Sequence, residues 1–207
     1  MHARPLRRRS ITAALVALPA FWLGARAQPA ATPRPTPSQT EGPFYPVEIP
    51  ADSDYDLLRN GTLSYGRGQP ALLEGRVTDV SGQPVSGAQV EIWQCDEAGH
   101  YHHPGDRGRA DPAFQGFGRM RVGDDGHYRF RTIRPVPYGG RTPHIHVKVR
   151  SGSRALLTTQ LYVAGDPHNA RDFLWRQLEG RAREAVTVPF QAGPDGLFAR
   201  FPIVIAA

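Results

Sequence analysis

The stretch LLEGRVTDVSGQPVSGAQVEIWQC, Leu72 to Cys95, carries the clearest structural signal in this chain of 207 residues. A β-type run at 72–80 leads into the turn-forming cluster SGQPVSG at 81–87, and a second β-type run follows at 88–95. Glycine, proline and serine favour turns, whereas valine, isoleucine, threonine and tryptophan favour strands. The stretch therefore predicts two strands joined by a short connection.

Short strands separated by turns continue to the end of the chain. FGRMRV at 117–122 meets HYRFRTI at 127–133 across GDDG, which is a strong hairpin signal. Further β-type runs are PHIHVKVR (143–150), ALLTTQLYV (155–163), AVTVPF (185–190) and LFARFPIVI (197–205). Only residues 166–181 have a helical pattern, with Asp166 as the expected N-cap and an apolar stripe that includes Phe173. The pattern predicts an all-β fold, an antiparallel β-sandwich with one short helix.

The first 39 residues are predicted to precede the folded domain, which would span 40–207. Residues 1–27 combine a basic start, a short apolar run and a small-residue cleavage site, which is typical of a secretory signal peptide. Arg8-Arg9-Ser10-Ile11 favours twin-arginine export of a folded protein, and an ordinary export signal with extra arginines is the alternative. Residues 28–39 form a predicted Pro-rich linker. The sequence thus predicts an exported protein, periplasmic or secreted, without stable membrane insertion after signal removal.

Composition excludes nucleic-acid binding and an internal disulfide. The chain has 25 Lys and Arg against 19 Asp and Glu, but five of the arginines lie in the predicted signal, so the mature chain is close to neutral. The basic stripe that nucleic-acid binding requires is not present. Cys95 is the only cysteine and is predicted to be a small buried residue. The mature chain is long enough for one domain with its own core, and exposed edge strands would allow a homodimer.

The stretch PYGGRTPHIHVKVR, Pro137 to Arg150, places two histidines at positions i and i+2 of a predicted strand. Side chains with this spacing point to the same face, about 6.5–7 Å apart at the backbone. His144 and His146 can therefore converge on one metal ion, or they can simply occupy the polar side of a half-exposed strand. The pair alone leaves both interpretations open.

A second group of candidate ligands lies in GHYHHPGD, residues 99–106. Its histidines do not have the spacing of a structural zinc motif, and no cysteine or Glu-bearing helix completes one. A phenolate is a hard, anionic oxygen ligand, so Tyr101 here and Tyr138 before the histidine strand point to ferric iron. Adjacent residues of an extended loop point apart, so His102 and His103 are not expected to bind the same ion. Substrate-binding and surface roles both remain open for these two histidines.

Five segments in chain order resemble the intradiol ring-cleavage dioxygenases, the family that contains the catechol and protocatechuate 3,4-dioxygenases. The segments are TEGPFYP (40–46), GRVTDVSGQPVSGAQVEIWQCDEAGHY (75–101), DDGHYRFRTIRPVPY (124–138), RTPHIHV (141–147) and TTQLYVAGDP (158–167). The resemblance extends over nearly the whole predicted core. An isolated HxH pair is common, whereas these five elements in this order are specific.

The resemblance implies a non-haem Fe(III) centre. Its four implied ligands are Tyr101, Tyr138, His144 and His146. Tyr138 would also be catalytic, as the axial ligand that is released when substrate chelates the iron. Arg141 would stabilise charge developing on the substrate ring, and Gln160 would lie near the same ring carbon. The implied reactants are a catechol-type substrate and O2. The implied reaction breaks the C–C bond between the two hydroxylated carbons to give a muconate-type diacid.

The chain departs from the family pattern between the second tyrosine and the histidines. Only Gly139 to Pro143 intervene, where family members often have a longer insert with tryptophans. Glycine also stands where a tryptophan commonly precedes the arginine. The shorter loop predicts a more open pocket into which larger catechols fit, so the sequence leaves the identity of the catechol open.

Two other functions are compatible with a β-sandwich. An exported binding module without catalysis would share the strand pattern, because a fold alone does not establish function. Such a module has no need for two tyrosines and an HxH pair in this arrangement. A zinc or copper hydrolase would require a general base beside the metal, for which the sequence offers no clear candidate. Metal content separates these alternatives from a ferric enzyme.

Overall fold

The structure is a computed structural model that describes residues 33–206. Its strands are β1 (Arg59–Asn60), β2 (Leu63–Ser64), β3 (Pro70–Asp79), β4 (Gln89–Trp93), β5 (Phe117–Arg121), β6 (His127–Ile133), β7 (His144–Ser151), β8 (Arg154–Val163), β9 (Thr187–Val188), β10 (Gln191–Gly193), β11 (Gly196–Arg200) and β12 (Ile203–Ile205). The helices are α1 (Phe173–Gln177) and α2 (Gly180–Ala185), and short 3-10 helices cover Pro104–Asp106 and Asn169–Arg171. The predicted signal peptide and the first part of the predicted linker lie outside the described residues.

Two five-stranded sheets share one hydrophobic core. The histidine sheet has the strand order β5-β4-β7-β8-β9, and the second sheet has the order β10-β11-β3-β12 with β6 also paired to β3. The core joins Leu73 and Phe130 of the second sheet to Ile92, Val147 and Leu161 of the histidine sheet, all of them fully buried. Strands and turns account for most of the described chain, so the predicted all-β fold is confirmed.

The strand pairing is mixed, in contrast to the purely antiparallel sandwich that the sequence predicts. β3 pairs antiparallel with β6, but β11 and β12 run parallel to β3, and β9 runs parallel to β8. Parallel neighbours require a crossover that is longer than a hairpin turn. Turn residues in the sequence indicate only hairpins between successive strands, so they could not reveal the parallel pairs. Pro202 separates β11 from β12, because proline has no N–H to donate to the ladder.

Two short helices replace the single helix predicted over 166–181. The chain leaves α1 at Leu178, which is extended, and Gly180, the first residue of α2, adopts a φ of 46°. This left-handed conformation is accessible mainly to glycine, so it interrupts the helix. Phe173, predicted in the apolar stripe, is 60% exposed. No helix within residues 33–206 is long and apolar enough to cross a membrane.

The cap of α1 is Asp172 rather than the predicted Asp166. Oδ1 of Asp172 accepts hydrogen bonds from the backbone N–H groups of Leu174 and Trp175, at 3.0 and 2.9 Å. Asp166 instead pairs with Arg134. Both aspartates precede helix-forming residues, and the local sequence does not show which one faces the open end of α1.

The end of the predicted linker packs against the domain. Thr36 is buried and exchanges two hydrogen bonds with the backbone of Val204, since its N–H donates to the carbonyl and its Oγ1 accepts from the N–H. The N–H of Gln39 donates to the carbonyl of Thr158 in β8. Ordered packing therefore includes residues 36–39, whose sequence alone has the composition of a linker.

Candidate metal centre

Strand β7 places His144 and His146 on one buried face, as their spacing predicts. Ile145 and Val147 point to the opposite face and join the core. Both histidines are 1% exposed, and their Nε2 atoms lie 3.2 Å apart. The polar-surface interpretation of the pair is therefore wrong.

The hydrogen bonding of His144 fixes its tautomer. Nδ1 of His144 lies 2.6 Å from the carbonyl oxygen of Thr142. A carbonyl oxygen only accepts, so Nδ1 carries the proton and Nε2 presents its lone pair. Histidines that bind metals usually donate their other N–H in this way.

Burial keeps both imidazoles in the neutral, metal-binding form. Desolvation lowers the pKa of His144 to about 4 and lowers the pKa of His146 well below its usual value. The ring of His146 also stacks on Trp93, with centroids 4.7 Å apart and an interplanar angle of 9°. The stacking holds that ring in one orientation beside His144.

Two tyrosines from separate loops complete a cluster of four rings. Tyr101 follows β4 and Tyr138 precedes β7, and their ring centroids lie 4.9 Å apart. Tyr138 lies 5.3 Å from His144, and Tyr101 lies 6.2 Å from His146. The structure thus brings together the four residues that the sequence analysis assigned to one metal.

The hydroxyl of Tyr101 is a buried polar atom without a hydrogen-bond partner among the described residues. Leaving a buried hydroxyl unpaired costs about 1–3 kcal/mol. Burial also raises the pKa of Tyr101 well above its usual value and raises the pKa of Tyr138. A cation bound between the rings would give the Tyr101 oxygen a partner and favour its ionisation.

The donor set of two neutral imidazoles and two phenols fits a hard, highly charged ion such as Fe(III). Within residues 33–206, no group of three His, Cys, Asp or Glu side chains is placed to hold a metal ion. A metal centre in the described part of the chain therefore depends on the two tyrosines. Tyr138 is only half-buried, whereas Tyr101 is 2% exposed, so Tyr138 is the tyrosine that incoming molecules can reach.

Arg141 and Gln160 are in direct contact beside this cluster. Nη2 of Arg141 donates to Oε1 of Gln160 at 2.7 Å. The guanidinium also pairs with Asp172, because Nε lies 2.7 Å from Oδ2. Gln160 is also fixed through its Nε2, which donates to the carbonyl of Thr40 at 3.0 Å.

Residues 40–46, termed here the N-terminal strap, cover the outer face of the histidine sheet. Phe44 stacks on Tyr101 with centroids 4.5 Å apart, and Tyr45 packs edge-on against Trp93 at 5.0 Å. Lys148 holds the strap in place, since its ammonium pairs with Glu41 and lies 3.7 Å from the centre of the Tyr45 ring. The strap therefore shields the ring cluster from solvent.

His102 and His103 do not join the ring cluster. Nε2 of His102 contacts the carbonyl oxygen of Asp111 at 3.0 Å, within its own loop. His103 accepts a hydrogen bond from the N–H of Gly105 and packs edge-on against Phe44. The two side chains point in different directions, as expected for neighbours in an extended loop.

A cleft of about 360 Å³ opens beside the cluster, lined by Tyr138, Arg141, His168 and Arg171 together with Gly139 and Gly140. A Cβ atom added at either glycine would meet nothing within 4 Å. The short loop before the histidines thus leaves space at the mouth of the site, as its length predicts.

Three residues of this site escaped the sequence analysis: Asp172, Phe44 and Tyr162. The Tyr162 hydroxyl donates to Gln39 at 2.6 Å and lies 3.2 Å from Oε1 of Gln160. A signal existed for Asp172, which stands just before the helical residues FLW. Phe44 stands in a Pro-containing turn segment and Tyr162 in a β-type run, and an aromatic residue in either setting is ordinarily expected to pack in the core.

Comparison with known proteins identifies a family. A sequence model described as "Dioxygenase" matches residues 40–191. Catechol 1,2-dioxygenase from Acinetobacter baylyi is 33% identical over 169 residues, which is 73% of this chain and 53% of that protein. The protocatechuate 3,4-dioxygenase beta chain from Burkholderia cepacia is 37% identical over 161 residues, which is 72% of this chain and 68% of that chain. This chain thus spans about half to two thirds of the length of these relatives.

Solved structures agree with the sequence comparison. The dioxygenase domain of a dioxygenase carbohydrate-binding protein fusion from Streptomyces sp. SirexAA-E matches with a TM-score of 0.67 and 32% identity, over 84% of this chain and 99% of that chain. Catechol 1,2-dioxygenase from Acinetobacter sp. ADP1, inhibited by bound mercury, matches with a TM-score of 0.64 and 31% identity, over 83% of this chain and 62% of that chain.

Proposed function

This chain belongs to the intradiol ring-cleavage dioxygenase family, and from that premise we propose that it is a non-haem Fe(III) enzyme acting on a catechol-type substrate. The proposed reaction uses O2 to break the C–C bond between the two hydroxylated carbons of the ring. Both oxygen atoms enter the product, which is a muconate-type diacid.

The observation that carries this proposal is the pair of facing histidine nitrogens beside two tyrosines. The Nε2 atoms of His144 and His146 lie 3.2 Å apart, and the Thr142 carbonyl leaves the lone pair of His144 Nε2 free. A binding module without catalysis has no need for two buried neutral imidazoles next to an unpaired phenol. A metal ion satisfies all of these groups at once.

The residues that would hold the iron are Tyr101, Tyr138, His144 and His146. When bound there, Fe(III) would supply Lewis acidity and accept electron density from a chelating catecholate. Two phenolates would offset most of the positive charge of the ion, while two neutral imidazoles complete the set without adding charge. This donor set favours the ferric over the ferrous state.

Tyr138 is the proposed proton acceptor. Its ring is half-buried and lines the cleft, whereas Tyr101 is 2% exposed and covered by Phe44. A catechol that enters from the cleft therefore meets the phenolic oxygen of Tyr138 before that of Tyr101. In the phenolate form that a bound Fe(III) would favour, this oxygen can take a proton from a substrate hydroxyl as the substrate binds.

Arg141 and Gln160 are the proposed electrostatic and orienting groups. The guanidinium is held at 2.7 Å from Oε1 of Gln160, with its side chain only 12% exposed. A fixed positive charge in a largely dry site stabilises negative charge that develops on a substrate ring. The strap excludes water from the opposite side of the cluster, which strengthens this effect.

The open cleft supports a substrate class that includes catechols with bulky ring substituents. Gly139 and Gly140 leave the space above the loop free, and the exposed ring of Phe173 lies beside Arg141. A ring substituent of the substrate that points toward this loop would meet solvent rather than protein atoms.

Oxygen consumption with a panel of catechols tests the function. The panel includes catechol, protocatechuate, hydroxyquinol and 4-substituted catechols with larger groups, and product identity is determined by mass and ultraviolet spectrum. The proposal expects one O2 consumed per ring opened and a product heavier by two oxygen atoms. An iron-loaded protein that opens none of these rings, or that cleaves beside the diol, would contradict the proposal.

A further inference from the structure

Asp172 holds the Arg141 side chain in one orientation. Oδ2 of Asp172 lies 2.7 Å from Nε of Arg141, and Oδ1 lies 3.5 Å from Nη2. The side chain of Asp172 is 0% exposed and that of Arg141 is 12% exposed. This is a buried ion pair with a two-point contact, which restricts rotation of the guanidinium.

Backbone groups fix the carboxylate of Asp172 in turn. Oδ2 accepts from the N–H of Thr142 at 3.0 Å, and Oδ1 accepts from the N–H groups of Leu174 and Trp175 at the start of α1. The Thr142 hydroxyl donates to Asn169 at 2.6 Å, in the 3-10 helix before α1. The loop of Arg141 and the start of α1 are therefore joined at two adjacent points.

Nη2 of the guanidinium, which lies beside Asp172, also donates to Oε1 of Gln160 at 2.7 Å. With Nε directed to Asp172 and Nη2 to Gln160, the plane of the group has one orientation. A free arginine beside an open cleft would instead sample many rotamers, at a cost in conformational entropy when substrate binds. The carboxylate removes this freedom before substrate arrives.

We propose that Asp172 is a positioning residue that orients Arg141 for the ring-cleavage step. The inference rests on the proposed function, because the group that Arg141 faces is the substrate ring. Asp172 does not contact the four candidate metal ligands through any hydrogen bond in the described chain. Its effect on the reaction should therefore pass through Arg141 and leave metal binding unchanged.

Asp172→Asn separates this role from helix capping. Asparagine caps helices about as well as aspartate, so the N–H groups of α1 keep an acceptor. The negative charge is lost, and the amide NH2 that replaces Oδ2 cannot accept from the guanidinium or from the N–H of Thr142. We expect kcat to fall about 10- to 100-fold, as when a positioned group is displaced by about 1 Å. KM, iron content and the visible spectrum of the iron-loaded protein should stay close to those of the wild type.

A double-mutant cycle with Arg141→Ala provides the decisive comparison. If Asp172 acts only through Arg141, then Asp172→Asn should lower kcat by less than about threefold in the Arg141→Ala background. Asp56→Asn is the matched control, because Asp56 also pairs with an arginine, Arg131, and caps a turn through the N–H of Leu58. Its kcat should stay within about twofold of the wild type, because Asp56 contacts none of the candidate site residues in the described chain.

Three outcomes would overturn the inference. Full kcat in Asp172→Asn would show that the carboxylate does not orient the guanidinium. Equal losses with and without Arg141 would show an independent role, and a loss of iron or of the visible band would show a structural one. Wild-type protein that cleaves no catechol would instead contradict the proposed function, and this inference with it.

Discussion

The Nε2 atoms of His144 and His146 lie 3.2 Å apart on one buried face of β7, and Nδ1 of His144 is committed to the Thr142 carbonyl. Two imidazoles at this separation can share one proton or bind one cation. Burial lowers the pKa of each ring, so neither ring carries a charge at neutral pH. The pair is therefore prepared to bind a cation.

Tyr101→Phe should abolish iron retention with little effect on the metal-free fold. The hydroxyl has no hydrogen-bond partner in residues 33–206, so its removal breaks no bond. We expect the free energy of unfolding of the metal-free protein to stay the same or to rise by up to about 1–3 kcal/mol, because an unpaired buried hydroxyl is removed. Iron affinity should fall by more than about tenfold, since even an outer partner of a metal ligand contributes 10- to 100-fold. Metal analysis and urea unfolding measure the two effects.

Tyr128→Phe is the matched control for that change. Tyr128 is also fully buried, but its hydroxyl donates to the carbonyl of Phe201 in the core. The control should lose about 1–3 kcal/mol of stability because the carbonyl is left unpaired, and it should keep its iron. Normal iron content and colour in Tyr101→Phe would refute the assignment of Tyr101 as a ligand.

The metal-free protein should lose stability as the pH falls from about 6.5 to about 4. The folded pKa of His144 is about 4, against 6.5 for an exposed histidine. Within this window the unfolded chain binds a proton that the folded chain does not, so acid favours unfolding. The stabilisation is complete above pH 6.5, and its loss amounts to about 3 kcal/mol for His144 alone.

Urea unfolding of the metal-free protein at pH 7.5, 6 and 5 measures this dependence. His144→Gln should reduce the slope without abolishing it, because the substituted side chain does not titrate whereas His146, whose pKa burial also lowers, still does. The carboxyl groups of Asp106 and Asp172 have lowered pKa values, so they affect stability only at lower pH. Equal stability at pH 7.5 and pH 5 would show that His144 is not buried in its neutral form.

Phe44→Ala should accelerate iron loss from the loaded protein. Phe44 covers Tyr101 with a stacked ring at 4.5 Å, and its removal admits water to the cluster. An aromatic pair contributes about 0.5–1.5 kcal/mol beyond the burial of its area, so we expect stability to fall by about 1–2 kcal/mol. Iron transfer to a chelator, followed by absorbance, should become several-fold faster.

Val47→Ala tests whether any change near the strap has the same effect. Val47 follows the strap and is 75% exposed. Its truncation should change stability by no more than about 0.5 kcal/mol and leave the rate of iron loss unchanged. Identical rates of iron loss in Phe44→Ala and the wild type would mean that the strap does not protect the site.

Replacing Arg8 and Arg9 together by lysine should retain the precursor in the cytoplasm. Twin-arginine export depends on the arginine pair, whereas a general export signal needs only positive charge. Replacing Arg4 and Arg7 by lysine is the matched control and should leave export intact. Cell fractionation with an antibody measures both, and normal export of the Arg8 and Arg9 variant would favour the general route.

Local sequence patterns predicted most strands, because turn residues and β-type runs act over short distances. The pairing of β7 with β8 follows from such signals. The predicted hairpin between β5 and β6 is wrong, because β5 pairs with β4 in the histidine sheet whereas β6 pairs with β3 in the second sheet. The parallel pairing of β3 with β11 and β12 could not be foreseen, since the partners lie more than 100 residues apart. No local property of Leu197 or Ile203 identifies the strand beside which it will lie.

The candidate ligands were predicted on different grounds. His144 and His146 followed from strand periodicity, whereas Tyr101 and Tyr138 depended mainly on the family resemblance. Asp172 was missed because its partner, Arg141, lies 31 residues away. Asp172 reaches Arg141 because the chain turns back after β8 and passes through the 3-10 helix Asn169–Arg171. Amino-acid composition does not reveal this path.

The visible absorption spectrum of the purified, iron-supplied protein tests the central claim most directly. The spectrum is recorded before and after catechol is added without oxygen, together with the iron content per chain. We expect about one iron per chain and a red-brown band from tyrosinate bound to Fe(III), which shifts when catechol binds. A colourless protein without bound iron would contradict the account and favour a non-catalytic binding module.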